Sequence, residues 1–160
     1  MEQTTQNEMA SSRPGDGAFT EEERRQEQGA AGSSAILFDL RTLSQFRSEG
    51  PYIQVLSDIE TARLVLFTFR AGQRLAEQET SSQLLVQVLR GRVSFSTPDN
   101  TVRLQAGMVL QVESYVPHSV VALTDAVMLL TMTPSPGHYN HEHDPFHHLT
   151  PLVSRARSTN

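Results

Sequence analysis

A succession of short apolar segments, each bounded by turn-forming residues, fills the middle of the chain between residues 52 and 133. In several segments apolar and polar residues alternate, so that Arg63, Val65, Phe67 and Phe69 share one face. Period-two alternation with turn signals about every 8–12 residues is typical of all-β sandwiches and barrels. The segments are YIQVLS, ARLVLFTF, QLLVQVL, RVSFST, VRLQ, MVLQV, HSVVAL and AVMLLTMT. The sequence therefore predicts an all-β fold without a long helix.

Composition divides the chain into three parts. Residues 1–34 hold seven acidic residues and three arginines with few large apolar side chains. Such a segment buries too little surface to offset its ordering entropy, so it is predicted to be disordered. Residues 35–134 form the predicted β-barrel domain. Residues 135–160 hold five of the six histidines and several prolines. They are predicted to be a C-terminal extension outside the sheet, with LTPLV docking on the barrel or on a neighbouring subunit.

Charge and residue usage exclude several classes of function. Residues 35–134 carry nine acidic residues and eight arginines, without a basic stripe, so nucleic-acid binding is not expected. The chain has no cysteine, which excludes thiolate metal sites and a cysteine nucleophile. No apolar run approaches the roughly 18 residues that a membrane span needs, and the polar N-terminus lacks the features of a secretory signal. We therefore expect a cytoplasmic protein that does not bind membranes.

The stretch AGQRLAEQETSSQLLVQVLRGRV resembles the first signature of the cupin superfamily in its small, single-domain, RmlC-like form. That signature has a glycine, five residues, His-x-His, three or four residues, a glutamate, and about six residues before a second glycine. Gly72 and Gly91 match its glycines. Gln78 and Thr80 stand at the two histidine positions, and Gln83 is assigned to the glutamate position.

The stretch GMVLQVESYVPHSVVAL resembles the second cupin signature, in which glycine is followed by five residues, Pro-x-Gly, two residues, histidine, three residues and asparagine. Here Glu113 replaces the proline, Tyr115 the glycine and Ala122 the asparagine, while His118 matches the histidine. The resemblance implies a cupin-type double-stranded β-helix, a jelly-roll barrel, that forms a homodimer.

The resemblance leaves His118 as the one usual metal ligand of the barrel. Transition metals in proteins take three or four donors, mostly imidazole and carboxylate, so no metal and no other cofactor are expected there. The tract GHYNHEHDPFHH offers His138, His141 and His143 as another source of ligands, which could fold over the barrel mouth and join His118. A divalent transition metal is therefore kept as an open alternative.

The resemblance also predicts a small pocket in the barrel. Its polar residues would be Gln78, Thr80, Gln83 and His118, because these positions converge in the cupin fold. The predicted apolar walls are Phe67, Phe69, Val86, Val88 and Met128. Such a cavity suits an uncharged or weakly polar small molecule. No paired carboxylate or Ser-His-Asp set accompanies His118, so no catalytic residue is assigned.

Three functions fit these observations. The first is a non-enzymatic cupin that binds a small molecule or acts as a sensor or partner module. The alternative is an enzyme: a metal-dependent dioxygenase or isomerase that uses His118 with unusual ligands, or a metal-free isomerase with His118 as general base. The third is an oligomer-forming domain with a vestigial pocket.

Overall fold

The computed structural model describes residues 35–139 and 141–154. Residues from Phe38 onward belong to one compact unit, whereas the chain up to Leu37 is a separate unit, of which residues 35–37 are described and contain neither helix nor strand. The predicted disordered segment, residues 1–34, lies outside the described residues, as do residues 155–160.

Ten strands and three short helical segments follow one another along the described chain. The strands are β1 Tyr52–Ile59, β2 Ala62–Phe69, β3 Arg74–Gln78, β4 Gln83–Arg90, β5 Arg92–Ser96, β6 Thr101–Gln105, β7 Val109–Val112, β8 His118–Ala122, β9 Ala126–Thr133 and β10 Val153–Ser154. The helical segments are α1 Leu40–Leu43, α2 Pro136–Tyr139 and a 3-10 turn at His141–His143. None of these helices has the length and hydrophobicity to span a bilayer.

The strands form two sheets, which confirms the prediction of an all-β, jelly-roll architecture. The six-stranded sheet has the order β10-β1-β2-β9-β4-β7, and the four-stranded sheet has the order β3-β8-β5-β6. Neighbouring strands are antiparallel except for β1 and β10, which pair in parallel. Strands β7 and β6 are therefore edge strands of their respective sheets.

The turn from β4 to β5 depends on Gly91, which has a φ of +75°. A side chain on Gly91 would collide with the backbone carbonyl oxygen of Asp125, so the position requires both the left-handed conformation and the missing Cβ. This turn keeps β5 in the second sheet while β4 stays in the first.

Alternation along the strands decides which residues form the core between the two sheets. Strand β4 buries Leu84, Val86 and Val88, and leaves the residues between them half-buried or exposed. The predicted pocket walls Phe67, Phe69, Val86, Val88 and Met128 all belong to this core. Each fully buried side chain of this size stabilises the fold by about 1.5–3 kcal/mol relative to its exposed state.

A second, smaller core lies on the outer face of the six-stranded sheet. There Leu56, Leu66 and Val127 are buried beneath half-buried side chains of residues 38–46. Among the described residues, no such cover lies on the outer face of β4 and β7, and Leu85 and Val109 are exposed on it. The two halves of this face therefore differ in what they present to solvent.

The C-terminal segment returns to the barrel instead of leaving it. Val153, the last residue of the predicted docking stretch LTPLV, pairs with Ser57 of β1, so this stretch joins the six-stranded sheet instead of remaining outside it. Phe146 is 3% exposed and belongs to the main core, with its ring edge-on to Phe67 at 5.4 Å between centroids. The polar composition of the segment concealed these contacts, because a single buried aromatic residue gives no periodic signal.

Candidate functional site

His118 begins β8 and points into the interior, where it is 3% exposed. Its ring stacks on Phe95 with 5.5 Å between centroids and 9° between planes. Its Nδ1–H donates to the backbone oxygen of Val116 at 2.9 Å, which leaves Nε2 as the unprotonated nitrogen. Burial lowers the pKa of His118 below its usual value of 6.5, although the Val116 carbonyl and the charge of Glu77 oppose the shift. The imidazole is therefore neutral at pH 7.

Gln78 lies beside His118, and Thr80 is buried in the loop that follows Gln78. Gln78 is the cross-strand partner of His118 between β3 and β8. Thr80 is 2% exposed; its hydroxyl accepts a hydrogen bond from the Ser82 amide at 3.3 Å, and its carbonyl oxygen accepts one from the Tyr115 amide at 2.8 Å. His118 and Gln78 thus bring one imidazole and one amide together, while the Thr80 hydroxyl is already used in a turn.

Gln83 does not join them, and its assignment to the pocket needs correction. Its Cα pairs with Thr133, and it is exposed on the outer face of β4, on the same side as Leu85. Leu84 is the residue that faces the interior, with 1% exposure. Counting three residues beyond Thr80 and six before Gly91 also leads to Leu84. A shift of one residue moves a side chain to the other face of a strand, which is why the assignment failed.

Tyr115 adopts the backbone conformation that the second signature reserves for glycine. Its φ is +62°, a conformation that residues other than glycine, asparagine and aspartate seldom adopt. The Tyr115 amide bonds to Thr80, so the β7–β8 loop is fastened to the β3–β4 loop. The backbone conformation of the motif is therefore retained although tyrosine replaces its usual glycine.

The tail histidines spread over different parts of the barrel rim. Nε2 of His138 lies 3.6 Å from Asp58, while Nδ1 of His143 lies 3.4 Å from Glu79 and its ring packs edge-on to Tyr115 at 5.4 Å. The side chain of His141 lies outside the described residues. The part of the chain that the structure describes contains no group of three or more His, Cys, Asp or Glu side chains that could hold a metal ion.

The donor set around His118 does not fit a transition metal of the cupin type. A stable site needs three or four imidazole or carboxylate donors. The positions that the signatures bring together offer His118, the neutral side chains of Gln78 and Thr80, and the apolar Leu84. One imidazole with two weak oxygen donors does not compete with water for such an ion, so no step of chemistry is derived through a metal.

A second polar cluster lies around Arg63, which the sequence analysis placed on the face of β2 with Val65 and Phe67 but gave no role. Arg63 is 4% exposed. Its Nη2 donates to Asp58 at 2.8 Å, and its Nη1 donates to Asp144 at 2.5 Å. Burial opposes ionisation of both Arg63 and Asp58, but their hydrogen bonds outweigh it, raising the pKa of the guanidinium and lowering that of the Asp58 carboxyl.

The alternation signal alone could have marked Arg63, because a lone arginine on an otherwise apolar inner face needs a buried partner. Nothing in the sequence identified that partner, since Asp144 is 81 residues away. Ser135 adds a hydrogen bond of 2.5 Å to Asp58, so both ends of this cluster involve the C-terminal segment.

A cleft of about 240 Å³ opens between the edge strands β6 and β7. Its polar lining consists of Thr97, Asn100, Gln111 and Glu113, and its apolar lining consists of Phe95, Val102, Leu110, Val112 and Val116. Phe95 contacts the cleft and also stacks on His118. The cleft therefore lies next to the His118 region, although His118, Gln78 and Thr80 are not among its lining residues.

Comparison with known proteins identifies the fold. An RmlC-like cupin from Desulfovibrio desulfuricans is 28% identical, with a TM-score of 0.59 over 62% of this chain and 97% of that one. A cupin superfamily protein from Desulfitobacterium hafniense is 20% identical, with a TM-score of 0.56 over 65% and 93%. A protein with a double-stranded β-helix domain from Klebsiella pneumoniae is 14% identical, with a TM-score of 0.59 over 64% and 92%.

No family model and no curated protein matches the sequence. The structural neighbours nevertheless confirm that this chain contains a cupin-type domain of the RmlC-like kind. In this cupin-type domain the first signature lacks the histidines and the glutamate, and the C-terminal segment of the chain enters the core.

Proposed function

We propose that the protein is a non-enzymatic, cupin-type binding module that holds a small, uncharged or weakly polar molecule in the cleft between β6 and β7. The observation that carries this proposal is the cleft itself, with five apolar side chains and a few polar groups around its mouth. Its volume of about 240 Å³ is below the roughly 300–1,000 Å³ of pockets for drug-sized ligands, which favours a small ligand.

His118 supports this site from behind. As a neutral imidazole stacked on Phe95, it holds one aromatic wall of the cleft in place without bringing a charge near the ligand. The burial of His118 and the hydrogen bond of its Nδ1–H to the Val116 carbonyl oxygen favour a structural role over acid–base catalysis, which needs proton donors and acceptors positioned toward a substrate.

The proposal is tested by titrating phenol, cyclohexanol and toluene into the full-length protein while the methyl signals of Val102, Leu110 and Val116 are recorded by NMR. Binding in the cleft shifts these signals. Leu110→Phe fills the cleft and is expected to weaken binding at least about tenfold. The matched control is Val109→Phe, which places the same ring on the outer face of β7. Equal affinity in both variants would contradict the proposed location.

We also propose that the protein forms a homodimer through the outer face and free edge of β7. Leu85, Leu89, Met108 and Val109 are between 39% and 57% exposed and form an apolar patch beside this edge. The strand VLQV carries neither a proline nor a charge that would block pairing with another chain. Antiparallel pairing of β7 with a second copy would join identical patches, as a two-fold interface requires.

Analytical ultracentrifugation tests this assembly. Val109→Lys places a charge in the patch and is expected to shift the dimer to monomer. Thr101→Lys introduces the same side chain on β6, the edge of the other sheet, and is expected to leave the dimer intact. A monomeric wild-type protein at micromolar concentration, or dissociation by Thr101→Lys alone, would contradict the β7 interface.

A further inference from the structure

Stability alone does not explain why β2 carries the buried Arg63. Strand β2 lies between β1 and β9, and its inner face is otherwise formed by Val65, Phe67 and Phe69. A buried ion pair is neutral or destabilising compared with apolar residues of similar volume. The cluster is also incompletely satisfied, because Nε of Arg63 and Oδ2 of Asp144 have no hydrogen-bond partner.

Two side chains of the C-terminal segment meet this strand face at two different points. The carboxylate of Asp144 binds Nη1 of Arg63, and the ring of Phe146 packs against Phe67 with 66° between the ring planes. The Phe146 amide also donates to Oδ1 of Asp144 at 3.0 Å, which holds the two groups in one compact arrangement. A carboxylate and an aromatic ring thus enter the barrel together.

Within residues 142–149, Asp144 and Phe146 are the only buried residues, and Leu149 is half-buried against the same core. Glu142, His147 and His148 are exposed, and the contact of His143 with Glu79 is a surface pair, a type of interaction worth about 0–1 kcal/mol at most. At Arg63 and Phe67 the segment is therefore attached by a carboxylate and an aromatic ring, two groups that a small ligand could also supply.

We propose that Arg63 and Phe67 form a second binding site, for an arylalkanoate (a carboxylate joined to an aromatic ring by a short chain), and that Asp144 and Phe146 fill this site as a built-in substitute until such a ligand displaces them. The guanidinium binds the carboxylate in place of Asp144, with its Nε–H available as an additional donor. The phenyl ring of the ligand takes the place of Phe146 against Phe67. Asp58 stays bound to Nη2 and keeps the guanidinium in position.

This site is independent of the cleft between β6 and β7, because the two share no lining residue. Its ligand has to compete with a tethered group whose effective concentration is in the millimolar range for short linkers. The intact chain therefore binds more weakly than a chain in which the tethered groups have been removed.

The test compares binding of 3-phenylpropionate to the full-length protein and to the full-length double variant Asp144→Ala/Phe146→Ala, by isothermal titration calorimetry. The double variant is expected to bind at least about tenfold more tightly. Removing the charge, with 3-phenylpropanamide, or the ring, with propionate, is expected to lower affinity at least about tenfold. The matched control Glu142→Ala/His148→Ala changes two exposed residues of the same segment and should behave as wild type. Equal affinity of the double variant and wild type, or equal binding of the amide, overturns the proposal.

A second variant keeps the proposal testable if the double variant does not fold. The chain has no tryptophan, so Phe146→Trp introduces a single fluorescent reporter into the site. Titration with 3-phenylpropionate up to about 10 mM, above the effective concentration of a short tether, is expected to shift its emission to longer wavelength, and the amide is not. An unchanged spectrum overturns the proposal. Adding Leu110→Phe, which fills the other cleft, should leave this response unchanged, so that the two proposals fail separately.

Discussion

Two buried polar side chains, one from each sheet, are kept in the same apolar interior by opposite means. Arg63 stays charged because Asp58 and Asp144 both bind its guanidinium. His118 stays neutral because it is buried and meets only the carbonyl oxygen of Val116 through its Nδ1–H. The cupin resemblance draws attention to His118, whereas the buried charges of the barrel gather around Arg63. The cupin motifs therefore predict which strands enclose His118, whereas the ion-pair cluster of Arg63 is recognised only by its buried charge.

The largest expected effect comes from removing one of the two carboxylate partners of Arg63. Asp144→Ala leaves Arg63 with one carboxylate partner, so we expect the free energy of unfolding to fall by about 3–5 kcal/mol, the usual cost of removing one partner from a buried pair. Urea denaturation followed by circular dichroism measures it. Glu142→Ala, an exposed acidic residue two positions earlier, should change stability by less than about 0.5 kcal/mol. A loss below about 1 kcal/mol for Asp144→Ala would contradict the description of Arg63 as a charge that depends on this segment.

The next effect tests which residue of β4 faces the interior near His118. Leu84→Ala is expected to lower the free energy of unfolding by about 3 kcal/mol, because it opens a cavity in the core. Gln83→Ala should lie within about 0.5 kcal/mol of wild type, because Gln83 is on the exposed face. The same denaturation measurement compares the two. A larger loss for Gln83→Ala than for Leu84→Ala would restore Gln83 to the interior.

The neutral imidazole of His118 makes the free energy of unfolding depend on pH. Because the folded-state pKa of His118 lies below 6.5, the unfolded chain takes up a proton first as pH falls. Stability contributed by the neutral ring is therefore complete above about pH 6.5 and is lost progressively at lower pH, down to the folded-state pKa. His118→Gln should flatten this part of the curve of unfolding free energy against pH. An unchanged slope between pH 7 and 5 would show that His118 does not titrate differently in the two states.

The Arg63 cluster responds in a different pH window. The pKa of Asp58 is lowered from 3.8, so the stability that this carboxylate contributes is present above about pH 3.8 and is lost only below it. Asp58→Asn should therefore change the acid-induced unfolding limb. Because Nε2 of His138 lies 3.6 Å from Asp58, both proteins in this comparison carry His138→Ala, and the slope between pH 7 and 5 should then be unchanged. Loss of the slope between pH 7 and 5 in Asp58→Asn would contradict the conclusion that His118 and the Arg63 cluster titrate independently.

The smallest expected effect concerns the loop that joins both signatures. Tyr115 has positive φ, so Tyr115→Gly removes strain and is expected to change the free energy of unfolding by less than about 1 kcal/mol. Tyr115→Val should cost about 1–3 kcal/mol, because a β-branched residue is disfavoured in this conformation. Thermal denaturation of the two variants gives the ranking. A valine variant as stable as the glycine variant would contradict the left-handed backbone at this position.

Much of the fold was predictable from local patterns. The apolar residues of β4 and β5 recur with a period of two, and Gly91 lies where a positive φ is needed between them. These signals depend on neighbouring residues, so a single sequence contains them. The motif spacing likewise placed Gln78 next to His118. The strands around the candidate site and the pairing of Gln78 with His118 could therefore be predicted from the sequence.

The rest of the site depends on contacts between residues far apart in the chain. Phe146 lies in a polar, proline-containing stretch whose composition predicts an extension, yet one ring and one carboxylate are enough to insert it into the core. Gln83 failed for a different reason, because a one-residue error in counting along a motif changes the face of a strand. The fold could be predicted from periodicity, but the insertion of Asp144 and Phe146 into the core could not.

Elemental analysis of the purified, tag-free, full-length protein shows whether this cupin-type barrel binds ligands without a metal. We expect iron, manganese, nickel and zinc far below one ion per chain, and no gain in thermal stability on adding them to a variant with His138, His141 and His143 changed to alanine. About one ion per chain that persists in this variant and disappears in His118→Ala would contradict it.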